Sequence, residues 1–293
     1  MRIVFIGSVK FSKSCLKKLI QIGAQPVGVC TLEKSSFNAD WEDLSLICNQ
    51  SNIPVRYVKN INSNADISWI ESLKPDVIFC FGWSRLLKEK LLKVAPLGVV
   101  GFHPALLPKN RGRHPIIWAL VLGFSETGST FFFMDKGADS GDILSQKKII
   151  IKQKDNAHSL YKKITLVALE QIEDFVPKLK SRSFNRTPQN NNDATTLRKR
   201  NEDDGKIDWR MSAESIHNLV RGLSKPYVGA HFDFNDSRVK VWETEIVKNK
   251  QLNIEPGKVI MHTKLGLIIK TGEDAILLRK IESPIDIKVG EYI

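Results

Sequence analysis

Residues 101–115 read Gly101-Phe102-His103-Pro104-Ala105-Leu106-Leu107-Pro108-Lys109-Asn110-Arg111-Gly112-Arg113-His114-Pro115. An apolar run ends here on a histidine, and two prolines with fixed φ stiffen the basic loop behind it. Outward from this stretch, apolar strand-like runs alternate with segments of helical spacing. Strands are predicted over residues 2–6, 25–31, 76–80, 98–103 and 128–134, with helices over 11–22, 42–51, 65–72, 86–94 and 116–122. That alternation predicts an α/β domain with a parallel, doubly wound sheet. Residues 77–81 and 130–134 are nearly unbroken apolar runs, as strands covered on both faces should be. Ligands of such sheets lie beyond the carboxyl ends of the strands, and His103 stands at such an end.

At 293 residues the chain exceeds what one core usually serves, so two domains are expected. A long helix is predicted over 159–179, after which apolar periodicity fades through 182–201. Residues 1–182 therefore read as one domain, 183–202 as a solvated linker and 203–293 as a second domain. The second carries a helix over 213–223 and strands over 229–234, 238–246, 257–262, 266–270 and 275–281, with a turn at Asn235-Asp236. A small β-rich, OB-like domain is expected, and its exposed β-face is compatible with a homodimer.

The net charge of +12 favours an anionic partner, and 178–200 is a local basic excess. Cys15, Cys30, Cys48 and Cys80 form no CxxC pair and lie in apolar settings, so they are expected to be reduced, buried and inert. No segment approaches the roughly 20 apolar residues of a membrane span. The apolar run at residues 3–6 is too short for a signal-peptide core, so a cytoplasmic protein is expected.

Gly7-Ser8-Val9-Lys10-Phe11-Ser12 follows the first strand but lacks the second and third glycines of GxGxxG, which argues against a dinucleotide. Its remaining use is a turn whose N–H groups and Lys10 face a ligand phosphate. Phe81-Gly82-Trp83 closes another strand, either as core or as an aromatic wall for a flat heteroaromatic ligand. Asp135-Lys136-Gly137-Ala138-Asp139-Ser140-Gly141-Asp142 follows a strand and carries Asp139 in a glycine-bounded turn. Asp135 and Asp142 compete with it, or serve as turn residues. His103 and His114 are separated by two prolines with no HxH or HxxxH spacing, so no metal site is expected. A serine nucleophile would want GxSxG, and none occurs.

On these residues the chain resembles the folate-dependent formyltransferases, over nearly its whole length. The resemblance rests on Arg2-Ile3-Val4-Phe5-Ile6-Gly7, on His103-Pro104-Ala105-Leu106-Leu107-Pro108 with Arg111-Gly112, and on Glu126-Thr127-Gly128-Ser129-Thr130. It continues with Met134-Asp135, Asp139-Ser140-Gly141-Asp142-Ile143-Leu144, Gly205-Lys206-Ile207-Asp208-Trp209 and Val220-Arg221 with Pro226-Tyr227. It implies a Rossmann-like first domain that binds N10-formyltetrahydrofolate, with Phe81, Gly82, Trp83, Leu86, Leu87, Asp135 and Asp139 as folate-binding positions. It implies chemistry by an asparagine, a histidine and an aspartate. His103 and Asp139 match the last two. The asparagine belongs two residues before the histidine, where this chain has Gly101. Asn110, in the same polar loop, is the expected replacement.

Formyl transfer needs donors for a developing oxyanion and a group that takes the amine's proton. An imidazole, with a reference pKa of ~6.5, suits the proton near neutrality. An amide donor in a dry site is worth roughly 3 kcal/mol to the oxyanion, and Asp139 would orient His103. For the amine, residues 109–115 and 131–135 resemble the sugar-modifying branch. The expected substrate is a nucleotide-linked amino sugar of the dTDP-4-amino-4,6-dideoxyhexose type, for lipopolysaccharide or other polysaccharide synthesis. Lys10, Arg111 and Arg113 would meet its diphosphate. Methionyl-tRNA is the alternative, served by the net charge and the basic linker. A third reading is a non-catalytic folate- or nucleotide-binding protein.

Overall fold

The structure is a computed structural model and describes residues 1–35, 39–235 and 237–293. The turn expected at Asn235-Asp236 involves Asp236, which lies outside the described residues. Two compact units form. One comprises Met1–Gly112, Thr127–Ile149 and Lys162–Leu197, the other Arg113–Glu126, Ile150–Tyr161 and Arg198–Ile293.

The chain runs through β1 (Ile3–Ile6), α1 (Lys10–Gln21), β2 (Gly28–Thr31), α2 (Ser45–Gln50), β3 (Val55–Tyr57), α3 (Asn64–Ser72), β4 (Val77–Cys80), α4 (Glu89–Leu92) and β5 (Val99–His103). It continues through β6 (Arg111–Gly112), α5 (Pro115–Val121), β7 (Glu126–Phe133), β8 (Ile143–Ile150), α6 (Ala157–Ser181) and β9 (Thr196–Leu197). The main sheet has the order β3-β2-β1-β4-β5-β7-β8. The first five strands are parallel neighbours, and β7 runs antiparallel to β5 with Thr130 opposite His103. This is the mostly parallel, Rossmann-like sheet the alternation predicted.

Side chains alternate across each strand, so β1 feeds two cores. Val4 and Ile6 pack with Ile67, Ile70, Ile78 and Leu91. On the other face Phe5 meets Phe81 edge-on, with centroids 5.7 Å apart, and Phe79, Phe131 and Phe175 complete an aromatic cluster. Burial on both faces is what made these strands read as unbroken apolar runs. The strand order reverses between β1 and β4, the place where open α/β sheets leave a crevice. Ser12 Oγ locks that place. It donates to Phe81 O at 2.6 Å and accepts the N–H groups of Ser8 and Val9 at 3.1 and 3.2 Å.

In the other unit, α7 (Ala213–Leu223) is followed by β10 (Ala230–Phe234), β11 (Ser237–Val247), β12 (Val259–Thr263), β13 (Gly266–Lys270) and β14 (Ala275–Ile281). The strands form an antiparallel sheet, β10-β11-β14-β13-β12. Ser212 caps α7 by accepting the Ser215 N–H at 3.1 Å. Ile216, Leu219, Val220 and Leu223 recur at helical spacing and share a core with Val239, Val241, Ile269, Ile276 and Leu278. Ile117 of α5 joins the same core. No described helix is long and apolar enough to cross a membrane.

Candidate active site

The loop after β5 is rigid because its carbonyl groups are satisfied one by one. Thr127 Oγ1 donates to Pro104 O at 3.2 Å and Thr130 Oγ1 to Ala105 O at 2.6 Å. Gln146 Nε2 donates to Leu107 O at 2.9 Å and to Thr130 Oγ1 at 3.0 Å. Part-buried backbone acceptors paired in this way cannot drift without losing hydrogen bonds.

His103 closes β5 and is only 4% exposed. Its Nε2 lies 2.7 Å from Asn110 O and its Nδ1 3.5 Å from Asp139 Oδ2. A neutral imidazole has one donor and one acceptor nitrogen, yet here both face oxygens. Asp139 Oδ2 also accepts the Gly112 N–H at 2.8 Å, while Oδ1 has no partner among the described residues. Asn110 and Asp139 both take left-handed φ, 61° and 55°, which Asn and Asp tolerate better than other side chains.

The sequence brought His103, Asn110 and Asp139 together in expectation, and the structure sets them side by side, with one difference. Asn110 meets His103 through its backbone carbonyl. Its side-chain Oδ1 lies 3.4 Å from Thr195 Oγ1, and its Nδ2 donates to nothing among the described residues. At Gly101 a side chain would press on its neighbours. A Cβ there would lie 2.8 Å from Met134 Cγ and 3.2 Å from Phe132 Cε1.

The positions expected to bind folate scatter in character. The Phe81 ring is fully buried in the aromatic cluster, and Leu87 is buried beside Leu91. Leu86 is exposed. Trp83 is half-buried, and its Nε1 is buried with no hydrogen-bond partner. Gly82 has φ 69°, and a Cβ on it would collide with Val9 Cγ2 and Ser12 Oγ. Asp135 Oδ1 accepts from Gly137 N–H at 2.9 Å and Ser140 Oγ at 2.7 Å, a turn role.

Of the positions expected to meet a substrate diphosphate, Lys10 is exposed in the first turn of α1. Arg111 donates through Nε and Nη2 to Gln189 Oε1 and through Nη2 to Asn191 Oδ1. Arg113 belongs to the other unit. No signal in the sequence marked Gln146, on the exposed part of edge strand β8, or Gln189 and Thr195, polar residues in a stretch without periodicity. Among the described residues no cluster of three or more His, Cys, Asp or Glu could hold a metal ion.

Residues 1–173 match the formyl transferase family and residues 199–288 its C-terminal domain, so the chain belongs to the formyl transferases. It is 31% identical over 300 residues to the methionyl-tRNA formyltransferase of Caldanaerobacter subterraneus subsp. tengcongensis, covering 100% of this chain and 96% of that one. The methionyl-tRNA formyltransferase of Desulforamulus reducens is 32% identical over 289 residues, covering 96% and 90%. Among solved structures, WlaRD, a sugar 3N-formyl transferase described in the presence of dTDP and 5-N-formyl-THF, matches with a TM-score of 0.72, covering 97% and 99% of the two chains. At 17% identity that likeness shows the fold alone.

These relatives overturn the expected amino-sugar substrate and, with it, the polysaccharide role. Identity of 31–32% along essentially the whole chain lies with tRNA-modifying enzymes. The sugar reading leaned on two short stretches. One of them contains Arg111, whose guanidinium is hydrogen-bonded to Gln189 and Asn191.

Proposed function

We propose that this chain transfers a formyl group from N10-formyltetrahydrofolate to the α-amine of methionyl-tRNA. The single observation that carries the reading is the full-length identity to methionyl-tRNA formyltransferases, joined to a built His103–Asp139 pair. The folate fits the residues at the end of β4. Trp83 offers a buried N–H without a hydrogen-bond partner. When bound, that donor supplies an activated formyl group.

The chain's own residues then divide the work. Asp139 Oδ1 is the accessible oxygen of the pair, with the side chain 22% exposed, and it takes the proton from the attacking amine. His103 stands behind it, with Nδ1 able to share that proton. The unused Nδ2 of Asn110 serves as the amide donor that Gly101 cannot supply. Residues 1–182 carry His103 and Asp139, with Gln189 and Thr195 of 183–202 bonded to Asp139 and Asn110, and 203–293 with the basic residues of 183–202 hold the nucleic acid. A net charge of +12, Lys10 and Arg113 included, suits a phosphate backbone. Such a substrate implies a cytoplasmic enzyme.

The test is tetrahydrofolate release. Purified protein with N10-formyltetrahydrofolate should release it on addition of methionyl-tRNA and not on addition of uncharged tRNA. Equal, background release in both would end the reading.

A further inference from the structure

Residues 184–197 are polar and aperiodic, yet they are stitched to the site. Thr187 and Ile143 exchange both backbone hydrogen bonds, β9 pairs with β6, and Thr195 O accepts the Arg111 N–H at 2.9 Å. Gln189 sits midway. Its Nε2 donates to Asp139 O at 2.9 Å and to Gly141 O at 2.6 Å. Its Oε1 accepts from Arg111 Nη2 at 2.8 Å and Nε at 3.2 Å. An amide side chain has two protons and two lone pairs, and all four are used.

Every one of those contacts lands on a segment that shapes the His103–Asp139 pair. The carbonyl of Asp139 belongs to a residue held at φ 55°, a conformation that persists only where its surroundings enforce it. Arg111 immediately precedes Gly112, whose N–H fixes Asp139 Oδ2. We propose that Gln189 is a positioning residue. It locks the Asp139 turn to the Arg111 loop so that Oδ2 stays in reach of His103 Nδ1. It touches no substrate and acts through Asp139. This inference rests on the formyl-transfer reading of that pair.

The chemistry also says why an amide is needed. A glutamate of the same length would still attract Arg111, but it would present oxygens without protons to the Asp139 and Gly141 carbonyls. A methionine would keep the length and offer no hydrogen bond.

Gln189→Met and Gln189→Glu in the full chain test this with two readouts. In both variants, hydrogen exchange at the Gly112 amide should speed up about tenfold, equivalent to one RT ln 10 step, while Phe131 N–H in β7 keeps its protection. In formyl transfer to methionyl-tRNA, kcat should fall roughly 10- to 100-fold with KM for the folate within about twofold. Unchanged exchange at Gly112 overturns the inference, as does full activity in Gln189→Glu. Loss of protection at Gly112 and Phe131 alike also overturns it, because it marks a general structural role. If wild-type protein formylates no tRNA, the substrate reading fails on its own and the exchange comparison still decides the role of Gln189.

Discussion

A side chain at position 101 would press on Met134 and Phe132. Gly101→Asn should therefore destabilise the protein by about 1–3 kcal/mol through overpacking. Adding Met134→Ala should recover part of that loss, and urea denaturation of the two variants measures both effects. The departure at 101 was legible in the sequence, but its packing was not, since only the fold brings Met134 against that strand. His103→Ala and Asp139→Ala should each lower kcat by about 10²–10⁴ while circular dichroism stays unchanged. The cysteines were legible as buried. All four are buried, and burial pushes the thiols of Cys48 and Cys80 up to about 12 and raises those of Cys15 and Cys30 as well. Ellman's reagent at pH 8 should find no fast thiol in native protein, and a fast-reacting one would show that a cysteine reaches solvent.

Among the elements, β4, β5 and β7 could be read from sequence because both of their faces are buried. Strand β3 could not, being three residues of partly exposed chain, and β8 at the sheet edge is interrupted by the exposed run Gln146-Lys147-Lys148. The β6–β9 pair is two residues long on each side. Its order comes from side-chain hydrogen bonds such as Asn110 N–H to Thr195 Oγ1 at 2.9 Å, which no periodicity announces. Phe131 of β7 is the centre of the aromatic cluster, with ring centroids 5.0, 4.9 and 4.8 Å from Phe81, Phe102 and Phe175. Phe131→Ala should cost about 3–5 kcal/mol, read as a shift in the urea midpoint. A shift under about 1 kcal/mol would mean the cluster does not hold the sheet.

At the scale of the whole molecule, the Rossmann-like sheet and the antiparallel C-terminal sheet were legible, whereas the amine substrate was not. Loop resemblance pointed to a sugar, and only identity spread along the full chain points to tRNA. Stability should also carry a pH signature from residues 113–126 and 198–293. Burial holds His114, His217 and His231 below the ordinary histidine value, with Arg113 and Arg200 adding to the effect at His114 and Arg221 at His217. Their unfolded value, near 6.5, is the higher one, so on acidification the unfolded chain binds protons first. The stability they contribute is full above about pH 6.5 and is lost as pH falls through the folded values. His114 Nδ1 accepts the Arg200 N–H at 3.3 Å, a bond that protonation breaks. A second loss follows in stronger acid, because Arg198 holds the Asp204 carboxyl at about 2 against an ordinary 3.8. Melting temperatures should fall steadily from pH 7.5 to pH 5, and a rise over that range would contradict the sign.

The most direct measurement is a single-turnover reaction of wild-type and His103→Ala protein with N10-formyltetrahydrofolate and methionyl-tRNA, with the amino acid released and weighed by mass spectrometry. Wild-type protein should yield N-formylmethionine, and His103→Ala should yield it at least about a hundredfold more slowly. Unmodified methionine from wild-type protein that nonetheless binds the folate would contradict formyl transfer to tRNA by the His103–Asp139 pair.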